Sequence, residues 1–312
     1  MTHFTGIYPA LVTPMSADGA RIDLAGLRAL VRFHLSRHVS GFFVTGGSGE
    51  GILMTADERR AVLETVMAET AGRDVRIISH VGAHVTAAAR ELAAHAESVG
   101  VHAIAAVPPF YFRTDAQGLR DHYRVIGDGA PHTPLFVYNI PGNTGVEVTA
   151  SVVADLLAVP TVRGIKYSSY NLYDLYNITR LREDLTVLNG FDEVLVAGLT
   201  MRAHGGIGST YNIMPAAFVA LYRAYRMGDL PGAQAWQWRI NTVIKALLGQ
   251  PFFATLKAVL THWGVPCGAP RQPNRAMSAE ETARAVQAVL ASGVEALEQD
   301  ALKALETLPV AA

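Results

Sequence analysis

Three things are scarce in this chain. It has a single cysteine, Cys267, in 312 residues. An internal disulfide is therefore excluded, and nothing asks for an oxidising compartment. Charged residues make up only 17%, against roughly 25% in an ordinary soluble domain. The 26 basic and 27 acidic residues leave a net charge of −1, so no cationic excess exists to neutralise a nucleic-acid backbone or an anionic membrane surface. Long apolar runs are missing too. The stretch from Ala83 to Ala96 comes nearest, but His84, Arg90, Glu91 and His95 make it too polar for lipid. The start, Met1 to Gly6, lacks the basic residues and apolar stretch of a signal peptide. A soluble cytoplasmic protein is the expectation. What is abundant is apolar side chain, 50% of the residues, which excludes disorder and suffices for a large core. With so few charges, some of that surface is expected at a subunit interface.

Short apolar runs alternate with amphipathic stretches. Strands are expected at 6–12, 41–45, 76–81, 102–107, 135–139, 162–167, 186–189 and 205–209. Helices are expected at 24–38, 55–71, 86–99, 117–126, 149–157, 171–181, 193–203 and 215–227, with a capping-box spacing at Thr55–Glu58. Most strand candidates are apolar on both faces, as strands covered on both sides should be. Eight units in about 225 residues match a (β/α)8 TIM barrel; an open doubly wound sheet is the rival. From residue 228 the pattern becomes helix only. The α/β reading is thus a barrel over 1–227 with a C-terminal helical segment, 228–312, packed on it.

In such barrels chemistry sits at the C-terminal ends of the strands. Lys166 stands near the end of strand six, in a segment otherwise suited to a barrel wall. Burial there lowers an amine's pKa and makes it a nucleophile able to form Schiff bases; the plainer reading is a lysine snorkelling to water. Tyr138 ends the preceding strand and can converge with Lys166 over the mouth, where a phenol can move a proton. It can equally be a core tyrosine with a satisfied hydroxyl. The turn Gly46-Gly47-Ser48-Gly49 offers amides and a hydroxyl to a carboxylate or phosphate. It fits no Walker motif. The pairs His34/His38 and His80/His84 have metal-ligand spacing, but the first falls in a helix that enters strand two from the wrong end and the second lacks an obvious third ligand, so no metal site is assigned.

Together, Gly46-Gly47-Ser48-Gly49-Glu50, Tyr138-Asn139-Ile140-Pro141 and Gly164-Ile165-Lys166 resemble the N-acetylneuraminate lyase and dihydrodipicolinate synthase superfamily. The resemblance runs through nearly the whole chain. The segments 189–193 and 205–214 are most similar to the N-acetylneuraminate lyase branch. The resemblance implies a homotetrameric class I aldolase without metal or organic cofactor. Lys166 would form an iminium with a 2-keto acid, and Tyr138 would handle the proton of the C4 hydroxyl. Gly47 and Ser48 would hold the substrate carboxylate. Gly190, Asp192, Glu193 and Ser209 would meet the sugar end, Ser168 would set a hydroxyl near the substrate, and Phe253 would line the site. Tyr111 matches a tyrosine that family tetramers lend across an interface. Cleavage of N-acetylneuraminate to N-acetylmannosamine and pyruvate is the implied reaction.

One position departs from the family. Gly47 stands where a Ser or Thr hydroxyl usually links the Tyr138 position to the borrowed tyrosine, so Thr45, Ser48 or a water would have to substitute. Asn143 stands where dihydrodipicolinate synthases usually have arginine, which fits a neutral sugar better than a second carboxylated partner. Four alternatives stay open: an aldolase or dehydratase for another 2-keto-3-deoxy sugar acid, a dihydrodipicolinate synthase-like condensation, a non-catalytic sugar-acid-binding regulator, and a phosphosugar enzyme using the glycine-rich turn.

Overall fold

The computed structural model describes residues 4–307. Its eight strands are β1 (Gly6–Pro9), β2 (Gly41–Val44), β3 (Arg76–His80), β4 (Ala103–Ala106), β5 (Leu135–Asn139), β6 (Val162–Tyr167), β7 (Thr186–Asn189) and β8 (Gly205–Gly208). All pair in parallel, in the order β1-β8-β7-β6-β5-β4-β3-β2. The ring closes between β1 and β2: Ser40 N–H donates to the Ile7 carbonyl at 2.9 Å and Leu11 N–H to the Phe43 carbonyl at 3.0 Å. This is the (β/α)8 barrel, and the open doubly wound sheet is excluded.

The helices between strands are α1 (Leu24–Leu35), α2 (Ala56–Glu69), α3 (Thr86–Ser98), α4 (Ala116–Gly129), the one-turn α5 (Pro141–Thr144), α6 (Ala150–Leu156), α7 (Leu172–Thr179), α8 (Leu195–Thr200) and α9 (Pro215–Arg226). After them come α10 (Leu230–Leu248), α11 (Phe252–His262), α12 (Ala279–Ala291) and α13 (Val294–Thr307). Local chemistry sets several starts. Asp23, Thr55, Asp115, Thr149 and Ser278 accept first-turn amides, and Thr55/Glu58 and Ser278/Glu281 form complete capping boxes. The same apolar periodicity predicts the last helix over 294–308, and Leu308 lies outside the described residues.

Two apolar layers take up much of the apolar composition. Tyr8, Phe43, Ile78, Ala105, Phe136, Tyr138, Leu188 and Ile207 fill the barrel interior. A larger cluster packs the outer faces of the strands against the helices. The C-terminal helices join the barrel through polar contacts as well: buried Glu298 on α13 accepts the Ala217 amide of α9 at 2.9 Å, and Gln237 on α10 accepts the Val196 amide at 3.0 Å. No single helix among the described residues is long and apolar enough to cross a membrane.

Candidate active site

The β5–β6 register sets Tyr138 opposite Lys166. Both side chains point into the barrel and both are buried. Lys166 Nζ lies 4.1 Å from the Tyr138 ring centroid and 4.4 Å from that of Phe43. Burial pushes the Lys166 pKa down to about 7, opposed by the Asp192 charge. Near neutrality a large share of this amine is therefore unprotonated and nucleophilic. Burial and Asp192 push the Tyr138 phenol above its ordinary range, and a hydrogen bond from Ser168 partly offsets them. At neutral pH the phenol carries its proton.

Behind this pair stands Asp192, three residues after β7. Its carboxylate accepts from the Thr210 amide at 2.7 Å and the Thr210 hydroxyl at 2.6 Å. Burial still raises its pKa to about 7. Gly190 lies against Ser168: a Cβ at 190 would fall 2.1 Å from the Ser168 hydroxyl. Glu193 accepts a hydrogen bond from the Tyr170 hydroxyl, and the Tyr170 ring packs on Phe191 at 4.5 Å.

The glycine-rich turn leaves β2 on the same rim. Thr45 (φ 55°) and Glu50 (φ 58°) adopt left-handed conformations, an unusual geometry for residues with a Cβ. Gly46 and Gly51 are dictated by space, since a Cβ would lie 2.4 Å from the Phe43 ring or 1.9 Å from the Thr45 carbonyl. Gly47 is not. A Cβ there would meet only the Tyr138 hydroxyl, at 3.9 Å. The Gly47 and Ser48 amides find no backbone acceptor among the described residues, and such amides can donate to an anion. Ser48 Oγ and Ser209 Oγ are hydrogen-bonded at 2.6 Å across the mouth.

A cavity of about 230 Å3 opens here, lined by Gly47, Ile52, His80, Val107, Phe110, Tyr138, Ile140, Asn143 and Thr144. A larger cavity of about 440 Å3 lies at the opposite end of the barrel among Arg73, Arg76, Arg163 and Asp184. None of the candidate residues lines it. Two candidates stand apart from the rest. Phe253, the second residue of α11, packs on Phe252, ring centroids 5.4 Å apart. Tyr111, after β4, is 81% exposed beside equally exposed Phe112.

Sequence reasoning missed three features. His80 was weighed only as a metal ligand paired with His84; instead it faces into the barrel beside Tyr138, their rings 5.8 Å apart and nearly perpendicular. Its place two residues after inward-facing Ile78 is the signal that could have found it. No group of three or more metal-ligating side chains occurs among the described residues. Glu50 forms a buried ion pair with Lys257 of α11, which ties the glycine-rich turn to the C-terminal segment. Tyr170, which clamps Glu193, carried no signal in its own segment.

A nucleophilic lysine and a phenol at the C-terminal mouth of an eight-stranded parallel barrel define an enzyme of the (β/α)8 class. Comparison with known proteins narrows this. The model of the dihydrodipicolinate synthetase family matches residues 3–292. An N-acetylneuraminate lyase of Shigella boydii is 40% identical over 264 residues, spanning 85% of this chain and 88% of that protein. Among solved structures, the catalytic lysine mutant of the Ruminococcus gnavus sialic acid aldolase superposes with a TM-score of 0.87 at 30% identity, over 94% of this chain and 97% of that one. The lysine-bound dihydrodipicolinate synthase of Cyanidioschyzon merolae gives 0.87 at 26%, over 94% and 100%. The chain belongs to the dihydrodipicolinate synthetase family.

Proposed function

We propose that this chain is a class I aldolase that cleaves N-acetylneuraminate to N-acetylmannosamine and pyruvate. The observation that carries the reading is Lys166, a buried amine with its pKa lowered to about 7, in register with Tyr138. The names of the Shigella and Ruminococcus relatives support the substrate. Lys166 Nζ adds to the C2 ketone and water leaves, giving an iminium. The Tyr138 phenol protonates the departing hydroxyl and is left as phenolate; as the C3–C4 bond breaks, its electron pair passes into the iminium and the phenolate takes the C4 hydroxyl proton as the aldehyde forms. Protonation of the enamine at C3 and hydrolysis then release pyruvate and restore Lys166. The amides of Gly47 and Ser48 hold the carboxylate. Gly190, Asp192, Glu193 and Ser209 meet the polyol, Ser168 sets a hydroxyl beside the substrate, and Phe253 lines the site. The active form is a homotetramer in the cytoplasm, with Tyr111 of a neighbouring subunit completing the site.

Borohydride reduction in the presence of pyruvate tests the chemistry: a stable mass increase is expected on the Lys166 peptide, and its absence overturns the Schiff-base mechanism. Gly47, with open space instead of a hydroxyl beside Tyr138, favours one second reading, an aldolase for another 2-keto-3-deoxy sugar acid. Coupled pyruvate assays over N-acetylneuraminate, shorter 2-keto-3-deoxy acids and aspartate semialdehyde separate the two, the highest kcat/KM naming the substrate class.

A further inference from the structure

The proposal below rests on the aldolase reading. A phenol that exchanges a proton with substrate needs an acceptor to orient its own O–H. Gly47 supplies none. The Ser168 hydroxyl bonds the phenol as a donor and so does not take its hydrogen, and the two hydroxyls of the glycine-rich turn have other partners. Thr45 Oγ1 donates to the carbonyls of Val44 (2.8 Å) and His80 (3.0 Å), and Ser48 Oγ is bonded to Ser209 Oγ at 2.6 Å.

His80 is held in place on three sides. Its carbonyl accepts from Thr45 Oγ1 and from the buried Arg59 guanidinium, which also bonds the Gly82 carbonyl at 2.8 Å. Its ring nitrogen Nδ1 is 3.1 Å from the Thr45 carbonyl, so Nδ1 carries the hydrogen and Nε2 presents a lone pair. Nε2 is buried and finds no hydrogen-bond partner among the described residues. The residue as a whole is only 3% exposed, yet it lines the same cavity as Gly47 and Tyr138. Gly82 makes this possible, because a Cβ there would fall 2.8 Å from Nε2. Burial and the Arg59 charge drive the imidazole pKa down to about 3, so the ring stays a neutral acceptor wherever the enzyme works.

We propose that His80 Nε2 is the acceptor that replaces the missing hydroxyl at position 47. A water seated in the space that Gly47 leaves open connects the Tyr138 O–H to Nε2. The cavity has room for it and polar groups on both sides. His80 is therefore a positioning residue. Through that water it holds the Tyr138 oxygen toward the C4 hydroxyl of the substrate, while pyruvate can add to Lys166 without it.

The test compares His80→Asn, which keeps an amide near the Nδ1 position but loses the Nε2 acceptor, with the double variant His80→Asn/Gly47→Ser. For the single variant we expect normal borohydride trapping of pyruvate on Lys166. Its kcat for carbon–carbon cleavage should be lower by about 10- to 100-fold, the usual effect of losing a partner that orients a catalytic group. KM should change little. In the double variant the new hydroxyl should recover most of the lost kcat, which no purely structural role of His80 would allow. His80→Gln, whose longer amide reaches the Nε2 position, should keep more activity than His80→Asn and serves as the probe if the latter unfolds. The proposal is overturned if folded His80→Asn turns over within twofold of the parent, or if Gly47→Ser restores nothing. Loss of trapping in the parent enzyme would instead sink the aldolase reading itself.

Discussion

At the scale of single residues, the chemistry turns on one desolvated amine. A lysine whose pKa falls from its usual 10.5 to about 7 is protonated, and not nucleophilic, below that value. The fraction competent to attack a ketone rises tenfold per pH unit up to about 7 and then levels off. The rate of pyruvate adduct formation should show the same acid limb, with a midpoint near 7. A limb near the ordinary lysine value, above pH 10, would mean that Lys166 is not desolvated in solution. Lys166 and Tyr138 were legible in the sequence because each is polar where the strand pattern demands an apolar wall. Gly47 was legible as a departure, and the structure shows that space does not require it. His80 was missed because its spacing to His84 suggested metal ligation, while the parity that aims it at Tyr138 depends on where β3 begins.

At the scale of elements, the turn that carries Gly47 and Ser48 is held from outside the barrel. Glu50 is fully buried against Lys257 and accepts the Arg271 amide at 2.6 Å, and the Arg271 guanidinium bonds Glu58 at 2.7 Å. Lys257→Met would leave the Glu50 carboxylate buried without its cation. The expected cost is about 3–5 kcal/mol, read as a lower urea midpoint at unchanged slope, and carboxylate binding should weaken with it. Replacing Glu50 and Lys257 together by apolar residues should cost much less than Lys257→Met alone, since no charge is left uncompensated. A single variant within about 1 kcal/mol of the parent would show that the pair does not anchor the turn. All eight strands and the long helices could be read from period and capping because their local signals agree with the fold. The one-turn α5 could not. Pro141-Gly142-Asn143 reads as a turn; it becomes one helical turn because the Thr144 and Gly145 amides bond the Ile140 and Pro141 carbonyls at 3.1 and 2.9 Å. The ion pair joining Glu50 to Lys257 spans 207 positions, which no local pattern can report.

At the scale of the whole molecule, the apolar excess is not exhausted by the two layers of the barrel. Tyr111 and Phe112 on the loop after β4 are 81% and 79% exposed, and Val85 on the neighbouring loop is 62% exposed. The two loops meet where His84 packs on Phe110, ring centroids 4.8 Å apart. These side chains lie beside the cavity that holds Tyr138, so a subunit contact here would also be a catalytic contact. Sedimentation should find a species of four 33.4 kDa chains, and a monomer would contradict the shared site. The stricter test is complementation between two inactive variants. Lys166→Ala subunits retain Tyr111, and Tyr111→Ala subunits retain Lys166. In tetramers assembled at random from an equal mixture, about a quarter of the sites combine an intact lysine with an intact borrowed tyrosine. Activity should therefore reappear on co-refolding although neither parent variant has it. If the mixture stays as inactive as its components while tetramers form, Tyr111 acts within its own subunit or not at all.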